Sequence, residues 1–300
     1  MTHDEPSCSQ RRHAEVFEAH RSLLLGLAYR LLGSMWDAED VVQDAYLRWL
    51  RVGLDEVREP RAFLVTLTSR LALDQLKSAR KQRETYPGPW LPEPVPDSAL
   101  GPLETVELRD TVSFATLHLM ERLSAPQRAV YVLREAFGLP YDQIAEVVGA
   151  SVAGCRQMHK RGRDRLAAGA APYAPDPVEH RRLVSRFLQA AASGDISALE
   201  QLLADDVAVW NDGGGRVRAA RRPVRGRTAA VAFLRGLIDR YPLDGADIVD
   251  ANGAAGALLR MGGTPQYVAV HTQGGRIQQL FAVLNPDKLT GMIDHQETPS

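Results

Sequence analysis

At 300 residues, with 45% apolar and 24% charged side chains, the chain is long enough for two or three domains with cores of their own. Its formal net charge of −1 means that any nucleic-acid contact must come from local basic patches. No run of about 18 apolar residues predicts a membrane span, and the polar start MTHDEPSCSQRRH lacks an apolar signal core, so a cytosolic chain is expected.

Cys8 and Cys155 are the only cysteines. They support neither a disulfide framework nor a Cys-based zinc site, and a free helical cysteine reads as a small apolar filler. Residues 14–50 read as two helices. Leu24, Leu27, Ala28 and Leu31 form one apolar stripe, which Gly33-Ser34 breaks. The second helix runs from Asp37 to Leu50, with Asp37 as its cap and Glu39 and Asp40 at the positive end of its dipole. Val41, Val42, Ala45 and Trp49 face a core, with Ala38 at its start. Glu39, Asp40, Gln43, Asp44 and Leu47 take the other side, either a solvated face or a docking surface for a basic partner helix.

Pro60 opens the next helix, whose buried side is marked by Phe63 or Leu64, Leu67, Leu71 and Leu76. Its end carries Lys77, Arg80, Lys81 and Arg83 with no acid. The helix dipole alone accounts for such cations. Beside aromatic Phe63 and Trp49 they also suit single-stranded or melting DNA, which needs phosphate neutralisation and a stacking surface. Residues 85–102 contain six prolines and read as a semi-rigid linker outside any core. The Trp90-Leu91 pair within it is unusual for a spacer and is expected to dock on the C-terminal part of the chain or on a partner.

Leu103 to Leu123 reads as helical. Tyr141, Ile144, Ala145 and Val148 then recur at helical spacing, Gly149 stops that helix, and Ser151 caps the next. From Ser151 to Leu166 the basic residues are Arg156, Lys160, Arg161, Arg163 and Arg165, against Asp164 as the one acid. Two short helices about a Gly turn, the second cationic, point to a DNA-binding helix-turn-helix; the alternative is an ordinary helical hairpin with a solvated basic face.

After Leu166, AAGAAPYAPDP is a second linker. Val178–Ser193 and Ile196–Leu203 read as helices, Val207–Trp210 as a short strand and Asn211–Arg216 as a glycine turn. Residues 228–240 form another helix, with Val231, Leu234 and Ile238 apolar. DIVDANGAAGALLRM, QYVAVHT and RIQQLFAVLN read as strands of an antiparallel sheet, closed by NPDKL. Helices followed by a curved sheet make an α+β cone or partial barrel, a shape that encloses a pocket.

These motifs resemble a known family. DAEDVVQDAYLRW is similar to the polymerase-docking helix of an extracytoplasmic-function (ECF) sigma factor, a promoter-recognition subunit of bacterial RNA polymerase. PRAFLVTLTSRLALDQLKSAR is similar to its −10 melting helix, and the stretch from Leu123 to Leu166 to its −35 helix-turn-helix. WLPEP (Trp90–Pro94), DGGGR (Asp212–Arg216) and NPDKL (Asn285–Leu289) resemble marks of the subgroup with a fused SnoaL-like, NTF2-fold domain.

The resemblance implies a multidomain fold: two all-α sigma domains, a helical bundle and a helix-turn-helix, followed by an α+β cone. Residues 12–84 would be sigma region 2, 85–103 the linker, 104–168 region 4 and 178–295 a SnoaL-like regulatory domain. It implies as partners core RNA polymerase, through its β′ and β subunits, and promoter DNA, with no cofactor, no metal, no catalysis and no need of a separate anti-sigma factor. Asp37, Glu39, Asp40, Gln43, Asp44 and Leu47 would dock on polymerase. Arg61, Arg70, Asp74, Lys77 and Arg80 would engage the −10 element, and Arg156, Gln157, Lys160 and Arg161 the −35 element. Trp90, Leu91 and Pro92 would meet Asp212, Gly213, Gly214, Gly215, Asn285, Pro286, Asp287 and Lys288 in a regulatory contact in cis. Two other readings of the C-terminal pocket stand beside this: a small-molecule sensor, or a cyclase- or isomerase-type enzyme using Asp212, His271 or Asp250 for acid–base work. Against the enzyme, Asp212 simply starts a glycine turn and His271 is a satisfied strand residue.

Overall fold

The computed structural model describes residues 8–100, 111–167 and 176–297. The chain divides into two units. The first is helical: α1 (Cys8–Glu18), α2 (Arg21–Leu32), α3 (Met35–Trp49) and α4 (Pro60–Arg83, to Lys81) with α6 (Ala125–Glu135), α7 (Tyr141–Val148) and α8 (Val152–Ala167, to Asp164). Where two helices were expected over 14–50 there are three, because a turn at Ala19-His20, unmarked by Gly or Pro, separates α1 from α2. From Leu24 to Leu32 every residue of α2 is buried, as in a helix wrapped by others, and Gly33 ends it in the left-handed conformation at φ 70°. The cap of α3 is Ser34 rather than Asp37: the Ser34 hydroxyl accepts from the Asp37 N–H at 3.3 Å.

Trp49 faces the core with Val41, Val42 and Ala45 as the α3 stripe predicts, and so offers no stacking surface to DNA: it is fully buried, its indole N–H donating to the His13 carbonyl at 3.0 Å and its ring against Phe63. The buried side of α4 runs through Leu64, Val65, Thr68, Ala72, Leu76 and Ala79, while Phe63, Leu67 and Leu71 are half-buried. Small Thr68 and Ser69 permit this rotation, the Ser69 hydroxyl donating to the Val65 carbonyl at 2.6 Å. Ser124 and Gln127 form a reciprocal capping box at the start of α6. Gly149, at φ 71°, ends α7, and Ser151 accepts from the Gly154 N–H at 3.1 Å to start α8. The core side of α7 is Ile144 and Val147; Val148 is half-buried. Buried Arg128 of α6 donates to the Arg30 carbonyl of α2 at 3.2 Å, and Arg30 in turn reaches the Gly26 carbonyl at 2.9 Å. Burial lowers the Arg30 pKa to about 10.

The second unit holds residues 82–98, α5 (Phe114–Met120), α9 (Pro177–Ser193), α10 (Ile196–Leu202), α11 (Arg227–Arg240) and α12 (Thr290–Glu297) around one sheet. Its strands are β1 (Leu203–Asp212), β2 (Val224–Arg225), β3 (Leu243–Ala251), β4 (Ala254–Met261), β5 (Thr264–Gln273) and β6 (Arg276–Val283), in the order β2-β1-β6-β5-β4-β3. β3, β4, β5 and β6 pair antiparallel in succession as expected, but the sheet as a whole is mixed, because β1 runs parallel to β6, with Trp210 opposite Phe281. β1 is also longer than expected, continuing directly from α10. Of the expected helix over 103–123, Phe114–Met120 is observed; 101–110, and 168–175 of the second linker, lie outside the described residues.

The strands β1, β4, β5 and β6 are buried on both faces, while β3 at the sheet edge is largely exposed. Val207, Val209, Ala257, Leu259, Val268, Val270, Leu280 and Ala282 share a core with α9, α10 and α11. The alternate residues Leu258, Tyr267, Ala269, Phe281 and Val283 form a second core with Leu91, Phe114, Ala115 and Met292. The proline segment is therefore part of a core: Leu91 through Val95 are buried. Fixed φ and missing donors suit proline to lie flat on a completed sheet as well as to span a gap.

Candidate functional site

The three short motifs WLPEP, DGGGR and NPDKL converge in the second unit. Strand alternation turns Asp212 toward the linker, where its carboxylate is 1% exposed. It accepts from the Tyr86 hydroxyl at 2.6 Å, the Leu91 N–H at 2.9 Å and the Gly214 N–H at 3.0 Å. Lys288 Nζ lies 2.7 Å from the same carboxylate and also donates to the Leu91 carbonyl. One linker residue, Leu91, is thus held at both its N–H and its carbonyl by one buried ion pair. Burial lowers the Lys288 pKa, opposed by the Asp212 charge, while burial and the bond to Asp212 raise that of Tyr86.

Two cations lie against the Trp90 ring: the Arg83 guanidinium is 3.6 Å and Lys288 Nζ 4.1 Å from its centre. Arg83, expected in a DNA-facing cluster, is thereby used inside the protein, and it also pairs with Glu121. Asn285 caps the turn Pro286–Lys288, accepting from the Asp287 N–H at 3.2 Å, and donates to the Tyr86 hydroxyl at 3.1 Å. Arg216 pairs with Asp287 at 3.2 Å. The glycines are dictated by close approach: a Cβ on Gly213 would sit 2.2 Å from the Val217 carbonyl oxygen, and one on Gly214, at φ 60°, 2.4 Å from the Asn285 amide. Gly215 faces Pro87 in the same way, at 2.8 Å.

Sequence reasoning missed a second clamp. Asn252, at φ 56°, forms the β3–β4 turn with Gly253. Its Oδ1 accepts from the Val95 N–H at 3.0 Å and its Nδ2 donates to the Val112 carbonyl at 3.2 Å. The Asn-Gly pair signals a turn in the sequence, but nothing local says that its side chain holds a segment more than 150 residues away.

In the first unit, Glu39, Asp40, Gln43, Asp44 and Leu47 are exposed along α3. Asp37 departs from them: half-buried, it accepts from Gln75 Nε2 at 3.3 Å. Trp36, not singled out in the sequence, is 61% exposed and Leu47 50%. At positions 36, 40, 43 and 47 the helical repeat puts Trp36 in line with Asp40, Gln43 and Leu47. On α4, Arg61, Arg70, Asp74 and Lys77 are exposed, with Lys77 paired to Asp74 at 2.9 Å. Arg70 donates to the Glu146 carbonyl of α7 at 3.0 Å. The Arg80 side chain lies outside the described ones. Arg156, Gln157, Lys160 and Arg161 form an exposed face of α8, opposite buried Cys155 and His159. His159 ties the motif together, bonded to Tyr141 at 2.9 Å and Glu135 at 2.7 Å.

The three acid–base candidates stay apart. Asp212 is in the ion pair, Asp250 is exposed and pairs with Arg181, and buried His271 has its pKa lowered to about 4 by burial first and by His180 second. The cavity between the sheet and α11 is lined by neither an acid nor a histidine among the described residues.

Residues 16–82 match the family model for sigma-70 region 2, 113–166 that for sigma-70 region 4 and 184–284 that for the SnoaL-like domain. The chain is 40% identical over 289 residues to the ECF RNA polymerase sigma factor SigJ of Mycobacterium tuberculosis, covering 92% of each. It is 37% identical over 195 residues to the probable ECF sigma factor SigI of the same species, covering 64% of this chain and 67% of that one. The crystal structure of M. tuberculosis SigJ superposes with a TM-score of 0.77 at 37% identity, over 93% of this chain and 98% of that one. With regions 2 and 4 of the sigma-70 type and a SnoaL-like domain fused behind them, the chain belongs to the family of ECF RNA polymerase sigma factors.

Proposed function

We propose that the protein binds core RNA polymerase and directs it to specific promoters, and that its C-terminal domain regulates this step in cis by holding the linker. Trp36 and the acidic residues of α3 dock on the basic clamp region of β′, α4 melts and grips the −10 element, and Arg156, Gln157, Lys160 and Arg161 read the −35 element. The linker passes along the RNA path through β′ and β. Working in the cytoplasm beside polymerase, the fused domain does what a separate anti-sigma factor would do, and a small molecule in its cavity is the signal. The protein's own part is binding and melting, not covalent chemistry.

The observation that carries this reading is the seizure of Leu91 by Asp212 and Lys288. Two promoter elements some 25 base pairs apart lie on the order of 85 Å apart along the duplex at about 3.4 Å per pair. Helices α4 and α7, joined by Arg70 and Glu146, must separate to reach both. A linker bound into a sheet cannot supply that reach, so polymerase and promoter must favour the open state by more than the docking energy of the linker. The test is in vitro transcription with core polymerase and a promoter library. Transcripts from one shared promoter motif, absent with core enzyme alone, are expected; transcripts with no common motif would refute the sigma reading.

A further inference from the structure

We propose that the cavity between the sheet and α11 binds an amphipathic organic anion, its apolar body against Phe233, Leu237 and Met261 and its anionic group at Arg218 and Arg240. This rests on the reading that the cavity holds a small molecule, and it names the class. The cavity measures about 610 Å³ and shares five lining residues with an adjacent, more apolar recess of about 50 Å³. Volumes of about 300–1,000 Å³ are those of drug-sized ligand sites.

Three features set the chemistry. First, the lining is apolar apart from a few groups: Phe233, Leu237 and Met261 border both the main cavity and its recess. Second, Asn211 and Gln266 also border both. Asn211 is 5% exposed, and its Nδ2 has no hydrogen-bond partner among the described residues. A buried amide donor left unmatched costs about 1–3 kcal/mol, so the site calls for an acceptor. Third, Arg218 and Arg240 stand exposed on the lining of the main cavity, which carries no acid. Arg218 belongs to RVRAARRPVRGR, residues 216–227, with six arginines and no acid. Within that stretch Arg216 pairs with Asp287 and Arg227 with Asp205, whereas neither Arg218 nor Arg240 has an ion-pair partner among the described residues. A neutral apolar molecule leaves the arginines unused, and a polyphosphate leaves the recess unfilled. An apolar body carrying a carboxylate or sulfonate matches all three features. Strand alternation puts Asn211 in this cavity and its neighbour Asp212 on the linker, so the ligand would sit one residue from the latch.

The test is fluorescence titration of the full-length protein with two probes that share an anilinonaphthalene body, 1-anilinonaphthalene-8-sulfonate and the uncharged N-phenyl-1-naphthylamine. Saturable one-to-one binding of the sulfonate is expected. Arg218→Ala with Arg240→Ala should weaken the sulfonate about tenfold and leave the neutral probe within about twofold, as for loss of one or two charge-assisted contacts. Ala232→Trp, which fills the main cavity from its lining, should remove both, with unchanged circular dichroism as the folding control. Equal sulfonate affinity in the arginine variant overturns the anion assignment. Saturable binding that survives Ala232→Trp puts the probe elsewhere and overturns the site. No binding of either probe overturns the small-molecule reading itself; since the assay contains no polymerase or promoter, each of these failures is distinct from a failure of the linker latch.

Discussion

Asp212 and Lys288 meet at 2.7 Å in a buried ion pair, and both hold the same linker residue, Asp212 through the Leu91 N–H and Lys288 through the Leu91 carbonyl. Lys288→Met would leave the carboxylate buried without its cation. Breaking a buried pair from one side costs about 3–5 kcal/mol. The variant should lose about that much in guanidinium unfolding of the second unit and become sensitive to protease between Tyr86 and Asp97. Asp212→Leu combined with Lys288→Met should lose less than Lys288→Met alone, because no charge is stranded.

Trp90→Ala removes a ring that both Arg83 and Lys288 contact. Each cation–ring contact contributes about 0.5–2 kcal/mol, so linker docking should weaken by about 1–3 kcal/mol. Hydrogen exchange at the Leu91 and Val95 amides reads this directly and should accelerate by about one to two decades. Trp90→Phe should give an intermediate rate.

The second unit should be acid-labile. Burial lowers the pKa of both His118, on α5, and His271, on β5, to about 4, from 6.5 for an ordinary histidine. Arg122 lowers His118 further, and the neighbouring His180 lowers His271 further. Both rings are neutral in the folded state, and the unfolded chain binds more protons. Their contribution is complete above about pH 6.5 and is lost as the pH falls toward 4, at up to about 1.4 kcal/mol per pH unit for each ring. Melting temperature should therefore drop between pH 7.5 and 5, and His118→Phe should remove part of that dependence, the rest remaining with His271 and with His180, whose pKa burial also lowers.

Arg156→Ala combined with Lys160→Ala should lower promoter affinity while polymerase binding persists. If both contact phosphate, the slope of log K against log salt should shrink by about 2, at about 0.9 per phosphate. If one reads a base, about 1–3 kcal/mol of discrimination at that position should go with it. Footprints and salt titrations separate the two outcomes.

Local chemistry made much of this fold readable. The Ser and Gly residues bracketing α7 and α8, the stripes of α2 and α9, and the strands after residue 243 announce themselves by spacing. What was not legible depended on partners far along the chain. Nothing near Pro92 says that the proline segment finishes a core, because the residues it covers, Tyr267 and Phe281, lie far downstream. Trp49 reads both as a core residue of the α3 stripe and as a stacking surface beside cations; its N–H on the His13 carbonyl, 36 residues away, decides for the core. β1 runs parallel to β6 although β2, α11, β3, β4 and β5 lie between them in the chain, a long-range pairing that no hairpin signal encodes. Asp212 looked like a turn residue or a catalytic acid; its alternation partner Asn211, passed over in the sequence, faces the cavity.

The central claim, that linker capture restrains promoter recognition, is tested most directly by Asn252→Gly in the full-length protein. A chain ending at Ala167 would expose Leu91, Phe114 and Ala115, confusing release with misfolding. Glycine suits φ 56°, so the turn should persist while the side-chain bonds to Val95 and Val112 are lost. Single-round run-off transcription, titrated with the sigma factor at fixed core polymerase, should reach half-maximal yield at about fivefold to thirtyfold lower concentration for the variant, as expected for losing about 1–2 kcal/mol of docking. A variant whose Val95 amide exchanges faster than in the wild type, yet whose transcription curve coincides with it, would contradict the account.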